Sequence, residues 1–351
     1  MSVRRGGKWL ARRGRWSLRG SRRVVWTGAV LAVLIVCLSL LGLLVGEYGL
    51  SVAQSWARLW GNPGESGDFL GVYFVQEVRL PRVLGAVTVG ACLGLAGALF
   101  QSVSGNPLGS PDIVGFSTGA ATGAILTIMF VGAAPMVVAG GAVGGGVLVG
   151  AVIVLLAGSR LSGLRVILVG IGISAALRAV NSLLLVRASL EAAQAAAQWN
   201  AGSLHDVSLP WVAILAVVLL AAAPALWAIT GPLAVLSLGD DAAAALGIKA
   251  VRTRLAAIAL GTLLVSLATA VAGPVAFVAL AAPHIARRLH GQVGPSLASA
   301  AAVGAALVLV SDLLGQWLLH PAKLAVGVVT GTLGGLYLLL LLFQEHRRNR
   351  L

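Results

Sequence analysis

"RLPRVLGAVTVGACLGLAGALFQSVSGNPLGSPDIVGFSTGA", residues 79–120, begins with two arginines around a proline and continues as an uninterrupted apolar run over 83–103. A helix of about twenty apolar residues is long enough to cross a bilayer. The two prolines and several glycines that follow exclude a continuous helix through 104–123. The stretch therefore predicts a membrane span that ends in an irregular segment.

The composition of the whole chain supports a lipid environment. Of the 351 residues, 58% are hydrophobic and 10% are charged, whereas soluble domains are roughly 25% charged. The 46 glycines suit helices that pack closely in lipid. Cys37 and Cys92 lie in apolar runs and are interpreted as small core residues, not as a disulfide or a metal pair. The predicted fold class is an all-α polytopic membrane protein.

Ten apolar runs are candidate transmembrane helices, although one of them, 275–289, is short. With ten spans both termini are cytoplasmic; nine spans would place the basic C-terminus outside, against the positive-inside bias. The division predicted is a basic cytoplasmic tail over 1–23, a transmembrane domain over 24–343 and a cytoplasmic tail over 344–351. The predicted spans are 24–46, 83–103, 113–132, 136–158, 166–186, 211–230, 255–275, 275–289, 297–319 and 324–343.

The net charge of +14 does not indicate a nucleic-acid-binding protein, which would need a basic face on a polar fold. In the ten-span topology 19 of the 25 lysines and arginines lie in inside segments, so they are interpreted as topology signals. The same topology places Arg79 and Arg82 outside, where they need another role. Blocks 79–186 and 255–343 each hold four spans that start on opposite sides, which indicates an inverted repeat of the kind found in transporters.

Two segments break the apolar pattern on the predicted inner side. The segment 104–123 is either a pore-lining turn or an ordinary tight loop; its polar cluster favours the pore, because irregular backbone at membrane depth lines cavities. The segment 238–254 predicts a short helix that Asp240 caps and Gly247 ends. That helix is either a dock for a soluble partner or a plain surface loop. The polar cluster of the first segment is Asn106, Ser110, Asp112, Ser117 and Thr118.

Arg178 is an ionisable residue inside the fifth span, with Asn181 on the same helix face. Three interpretations remain open for it: contact with an anionic cargo, snorkelling to the outer headgroups, or a structural pair with an acid such as Asp312. The sequence predicts no metal site and no cofactor, since it has no HExxH motif and no Cys/His cluster. It also lacks a P-loop, so a pump containing this chain would need a separate ATPase.

Five stretches together resemble the FecCD family, the permease subunits of ATP-driven importers for iron–siderophore complexes, haem and vitamin B12. The resemblance covers most of 79–335 and implies a type II ABC importer permease with ten transmembrane helices. It also implies a second permease subunit, identical or a paralogue, two ATPase subunits and an extracytoplasmic solute-binding protein. The stretches are 79–120, 168–184 ("LVGIGISAALRAVNSLL"), 238–248 ("LGDDAAAALGI"), 271–289 ("VAGPVAFVALAAPHIARRL") and 325–335 ("AVGVVTGTLGG").

The resemblance also implies site residues. Arg79 and Arg82 would bind acidic residues of the docking protein; the alternatives are a topology accident or local pairing with Glu77. Gln316 stands where some members carry a further docking arginine, and Lys323 stands where an acid is common. Either Lys323 partly restores the outer positive charge, or the docking protein differs. The cytoplasmic gate would comprise Asn106, Leu108, Ser162, Gly163 and Leu164, and the ATPase coupling segment Gly239, Asp240, Asp241, Ala245, Leu246 and Gly247.

The function expected is transport of a ferric siderophore, or a related chelate such as haem or cobalamin, by a non-enzymatic subunit of the cytoplasmic membrane. An alternative is a secondary transporter driven by an ion gradient, which would need acids in mid-span. Only Glu47, Asp112 and Asp312 come close, all near span ends. A membrane transferase would need metal-binding acids at the membrane face, and the chain offers only the "GDD" at 239–241.

Overall fold

A computed structural model describes residues 3–5, 8–13, 16–44, 46, 48–64, 67–158, 161–290, 296–318 and 324–348. The basic N-terminal segment forms a three-stranded antiparallel sheet in the order β1-β2-β3. Its strands are β1 (Val3–Arg5), β2 (Lys8–Arg13) and β3 (Trp16–Ser21). Everything that follows is helical or irregular in the described ranges.

The first half of the helical part contains the opening stretch. A π-helical turn, Phe74–Arg79, joins α3 to α4 without a break, so the "RLPR" arginines stand on a continuous helix and not in a loop. The helices are α1 (Arg22–Leu44), α2 (Val52–Leu59), α3 (Phe69–Tyr73), α4 (Leu80–Ser104), α5 (Pro111–Val114), α6 (Phe116–Phe130), α7 (Pro135–Ala157) and α8 (Gly163–Arg187).

The second half contains the short helix predicted near 240 and the short span predicted near 280. The helices are α9 (Leu190–Asn200), α10 (Leu209–Leu236), α11 (Asp240–Ala245), α12 (Ala250–Ala272), α13 (Val278–His290), α14 (Leu297–Trp317) and α15 (Val326–Arg348). α9 was not predicted from the sequence.

Within the described ranges, seven helices are long and apolar enough to cross a membrane, and two shorter apolar helices accompany them. Each of the ten predicted spans overlaps a helix; the shortest two are α6 with 15 residues and α13 with 13. The helical architecture of the membrane-spanning part is confirmed, whereas the strands of the basic N-terminal segment were not predicted. The count of ten crossings and the inverted repeat stay predictions.

The core of the molecule is built around α4, most of which is buried, with α10, α12, α13 and α14 packed against it. The contact between α4 and α14 is backbone on backbone. A Cβ placed on Gly94 would lie 2.1 Å from the carbonyl oxygen of Ala300, and one on Gly90 would lie 2.4 Å from that of Gly304. Small residues at these crossings let the two helices approach closely, as in other lipid-embedded bundles.

Candidate functional site

Arg79 lies at the end of the π-helical turn, buried against the end of α1. Its guanidinium donates hydrogen bonds to the carbonyl oxygens of Leu43 (3.0 Å), Leu44 (3.3 Å) and Tyr48. The last carbonyls of a helix have no partner within the helix and carry partial negative charge. Arg79 therefore caps the C-terminal end of α1, and the suggested pairing with Glu77 is not seen.

Arg82 is buried between α4 and α14, where it forms an ion pair with Asp312. Its Nε lies 3.0 Å from both carboxylate oxygens and one terminal nitrogen lies 2.9 Å from Oδ1. The amide of Gln316 donates to Oδ2 of the same carboxylate at 2.9 Å. Asp312 is thus the partner of Arg82, and the suggestion that it pairs with Arg178 is wrong.

A cavity of about 650 Å³ lies beside both arginines at this end of the bundle. Glu77, His205, Asp206 and Gln316 also contribute to its wall. Both guanidiniums are satisfied by partners in the same chain, so neither is free to bind a second protein in this conformation. The docking role of Arg79 and Arg82 stays a prediction, and Lys323 lies outside the described residues.

The two predicted gate loops meet at Gly163, the first residue of α8. A Cβ on Gly163 would lie 2.7 Å from both Cα and the carbonyl oxygen of Ser104, so only glycine fits at this contact. Asn106 accepts a hydrogen bond from the backbone N–H of Leu108 (2.9 Å), which fixes the turn after α4. The side chains of Asn106, Leu108, Ser162 and Leu164 are exposed.

Three polar side chains of the cluster after α4 form hydrogen bonds with one another. The carboxylate of Asp112 accepts from the hydroxyls of Ser117 (2.5 Å) and Ser110 (3.3 Å), and Ser110 in turn caps α5. Gly105 and Gly115 adopt positive φ at the two breaks, which confirms the predicted interruption of the helix. A pore-lining role for this segment stays a prediction.

The predicted coupling segment forms a six-residue helix, α11, which Gly247 follows with φ +76°. The prediction that Asp240 caps this helix is wrong: Gly239 occupies the capping position, and the carboxylate of Asp240 pairs with Arg254 on α12 at 2.5 and 3.1 Å. The hydrogen bond from Arg254 lowers the pKa of Asp240. Asp241, Ala245 and Leu246 are exposed.

Arg178 and Asn181 lie on α8, a helix that packs little against the rest of the chain. Arg178 is exposed and forms no ion pair with any residue that the structure describes. The amide oxygen of Asn181 is buried without a hydrogen-bond partner. The same helix exposes a row of large apolar side chains, which consists of Leu164, Leu168, Ile171, Leu183 and Val186. α8 thus presents a largely uncovered face with one cation on it.

The described part of the chain has no group of three or more His, Cys, Asp or Glu side chains that could hold a metal ion. His284, on α13, makes a hydrogen bond of 2.6 Å with the hydroxyl of Tyr337. The described residues form a bundle of apolar helices, an interruption between α4 and α6, and an exposed short helix, α11. They define a polytopic helical membrane protein.

The chain belongs to the FecCD transport family, whose model matches residues 31–344. It is 42% identical to the ferric enterobactin transport system permease protein FepG of Escherichia coli (strain K12) over 93% of this chain and 98% of the relative. It is 32% identical to FepD, a permease protein of the same E. coli system, over 90% and 95%. The inward-facing structure of a metal-chelate type ABC transporter matches with a TM-score of 0.80 and 28% identity, over 90% and 98%.

Proposed function

We propose that this chain is the permease subunit of an ATP-binding-cassette importer that moves a ferric siderophore of the enterobactin class into the cytoplasm. The observation that carries the proposal is the identity of 42% with FepG, which extends over nearly the full length of both chains. The family and the structural match are both to transport proteins of this kind. Neither gives support to the alternative of a secondary transporter.

The second permease subunit is a paralogue of this chain in our proposal. Two relatives from one E. coli system, FepG and FepD, are both similar to this chain but to different degrees. The exposed face of α8, with Leu168, Ile171 and Leu183, supplies apolar surface for such a partner. Arg178 and Asn181 then lie at the boundary between two subunits, where a cation faces an anionic metal chelate.

The two other partners bind at opposite ends. An ATPase subunit binds α11, whose flanking residues Leu238 and Leu246 expose 69% and 65% of their surface. A solute-binding protein docks near the cavity beside Arg79 and Arg82. Complementary charge across such an interface steers the encounter and fixes the register. A carboxylate on that protein competes with Asp312 for Arg82.

The chain crosses the cytoplasmic membrane ten times with both termini in the cytoplasm. The positive-inside bias supports this orientation, because the basic residues concentrate in the N-terminal 23 residues, the C-terminal tail and the α11 region. In the same orientation Asn106, Leu108, Ser162, Gly163 and Leu164 form the gate at the cytoplasmic end. The contact between Gly163 and Ser104 holds the two gate loops together.

The proposal is tested by transport into liposomes that contain the chain with its partner permease and ATPase. Uptake of iron-55 from ferric enterobactin is measured with the binding protein outside and ATP inside. We expect uptake with ATP and none with a non-hydrolysable analogue. Uptake driven by a proton gradient without ATP would overturn the importer assignment. Uptake of haem or a ferric hydroxamate, but not of ferric enterobactin, would overturn the cargo.

A further inference from the structure

The helix α2 buries polar side chains and exposes apolar ones, which is the reverse of a helix on the surface of a water-soluble protein. Ser55 and Arg58 are its buried residues, each 4% exposed, whereas Val52, Trp56 and Trp60 at its C-terminal end are 67%, 57% and 73% exposed. The exposed three follow one another at intervals of four residues, so they form one stripe. We call this stripe the α2 outer face. An exposed apolar patch of this kind marks a surface that another protein or a membrane covers.

A polar network holds the helix in this orientation. The guanidinium of Arg58 contacts the carboxylate of Asp68 at 3.3 and 3.4 Å and donates to the carbonyl oxygen of Asn62 at 3.1 Å. Asp68 also accepts from the hydroxyl of Tyr48 (2.7 Å) and from the backbone N–H of Gly71 (2.9 Å). Both charged residues that the structure describes between 48 and 73 are thus used internally.

The α2 outer face lies at the level where α1 ends. Arg79 binds the last carbonyls of α1, and Gln76, in the same π-helical turn, donates to the carbonyl oxygen of Leu59 at 3.1 Å. α1 is the least buried of the seven span-length helices in the described ranges, and it exposes apolar residues along its length. The exposed apolar surface of α1 therefore continues toward α2.

Tryptophans mark both ends of this surface. Trp26 is 71% exposed at the start of α1, and Trp56 and Trp60 form an edge-to-face pair with ring centroids 6.0 Å apart near the other end. From Trp26 to Leu44 the helix rises about 27 Å at 1.5 Å per residue, close to the hydrocarbon thickness of about 30 Å. Tryptophan is enriched at both membrane–water interfaces, where its ring is apolar and its N–H reaches water.

We propose that the α2 outer face is a lipid-binding surface that lies in the headgroup layer at the Leu44 end of α1. A soluble partner is the less suitable occupant, because each dissociation would return two tryptophans to water. Lipid is always present. The α2 outer face also offers no charge for a soluble partner to recognise. This inference does not depend on the cargo or on the direction of transport.

The test places a fluorescent probe on single cysteines in liposomes, after Cys37→Ser and Cys92→Ala remove the native thiols. The positions are Trp56→Cys, Trp60→Cys and Val52→Cys, so that no single variant decides the result. Leu246→Cys is the matched control, because Leu246 is equally exposed beside a short helix at the other end of the bundle. Quenching is compared between iodide in the water and nitroxide lipids labelled at the headgroup or near the end of the acyl chain.

We expect headgroup nitroxides to quench the α2 probes more strongly than chain-end nitroxides, and iodide to quench them severalfold less than the probe at Leu246. Strong quenching by iodide with no effect of nitroxide lipids would overturn the proposal, because the face would then lie in water. Quenching mainly by the chain-end nitroxide would also overturn it, because α2 would then lie inside the hydrocarbon.

Discussion

Arg82 and Asp312 form the buried ion pair that joins α4 to α14. Removing one partner of such a pair leaves an uncompensated charge and costs about 3–5 kcal/mol. We therefore expect Arg82→Met or Asp312→Leu to lower the thermal unfolding midpoint in detergent strongly. The double variant, Arg82→Met with Asp312→Leu, should be more stable than either single one, since it leaves no unpaired charge.

A charge swap separates the structural role of Arg82 from its docking role. In Arg82→Asp with Asp312→Arg the pair is kept but the cation moves from α4 to α14. We expect thermal stability to recover relative to the single changes, while binding-protein-dependent uptake stays lost. Full recovery of uptake in the swapped protein would show that Arg82 does not dock a partner. Gln316→Met is the control, because it removes the hydrogen bond to the carboxylate of Asp312 and leaves both charges in place.

At the scale of elements, the start of α8 depends on a close contact that glycine alone allows. Gly163→Ala would place a methyl group 2.7 Å from the backbone of Ser104, and overpacking of this kind costs about 1–3 kcal/mol. We expect lower stability and altered uptake. Gly172→Ala on the same helix is the matched control, since nothing lies within 4 Å of its Cβ. Equal effects of the two changes would contradict the close contact.

The helix α11 is tied to α12 by the pair between Asp240 and Arg254. Asp240 is 60% exposed, so Asp240→Asn should change stability by less than about 1 kcal/mol. It should nevertheless reduce ATPase-driven uptake, because α11 loses its fixed position. Arg254 lowers the pKa of Asp240, so the pair is complete above the ordinary carboxyl pKa of about 4 and is lost only as pH falls through the lowered value. Uptake that depends on this pair should therefore not vary between pH 5 and 8, as a pH series would show.

For the whole molecule, the ten-crossing topology predicts that both termini lie on the same side of the membrane. A reporter fused to the C-terminus should be active only in the cytoplasm, and a fusion in 201–208 only outside. If the C-terminal reporter is active outside, the ten-crossing arrangement is wrong. The basic tail over 344–351 would then have to be moved across the membrane, against the charge bias.

Much of the fold could be predicted from the sequence, because hydropathy and helix length act locally. Each predicted apolar run overlaps a helix, and the prolines and glycines that follow α4 interrupt the helix as predicted. The interactions of single polar residues could not be predicted in the same way. Asp312 lies in an apolar span and therefore needs a partner. That this partner is Arg82, 230 residues away in sequence, follows only from the packing of α14 on α4.

The segment 48–73 shows the same limit. Arg58 and Asp68 are ten residues apart, and Tyr48 is twenty from Asp68, so no helical spacing links them. Asp240 was assigned to a cap from its position before a run of alanines, yet Arg254 competes for its carboxylate more effectively. The residue pattern therefore predicted α11 and Gly247, whereas tertiary contacts determine which side chain each carboxylate binds.

The backbone contact between α4 and α14 restricts how this protein can change shape. Where the two helices touch through glycine backbones, no side chain lies between them whose rotamer could adjust to a sliding motion. The close contacts at Gly90, Gly94 and Gly304 therefore restrict sliding of α4 along α14. We therefore expect the less tightly packed helices, such as α8, to move more than the α4–α14 pair when the protein changes shape.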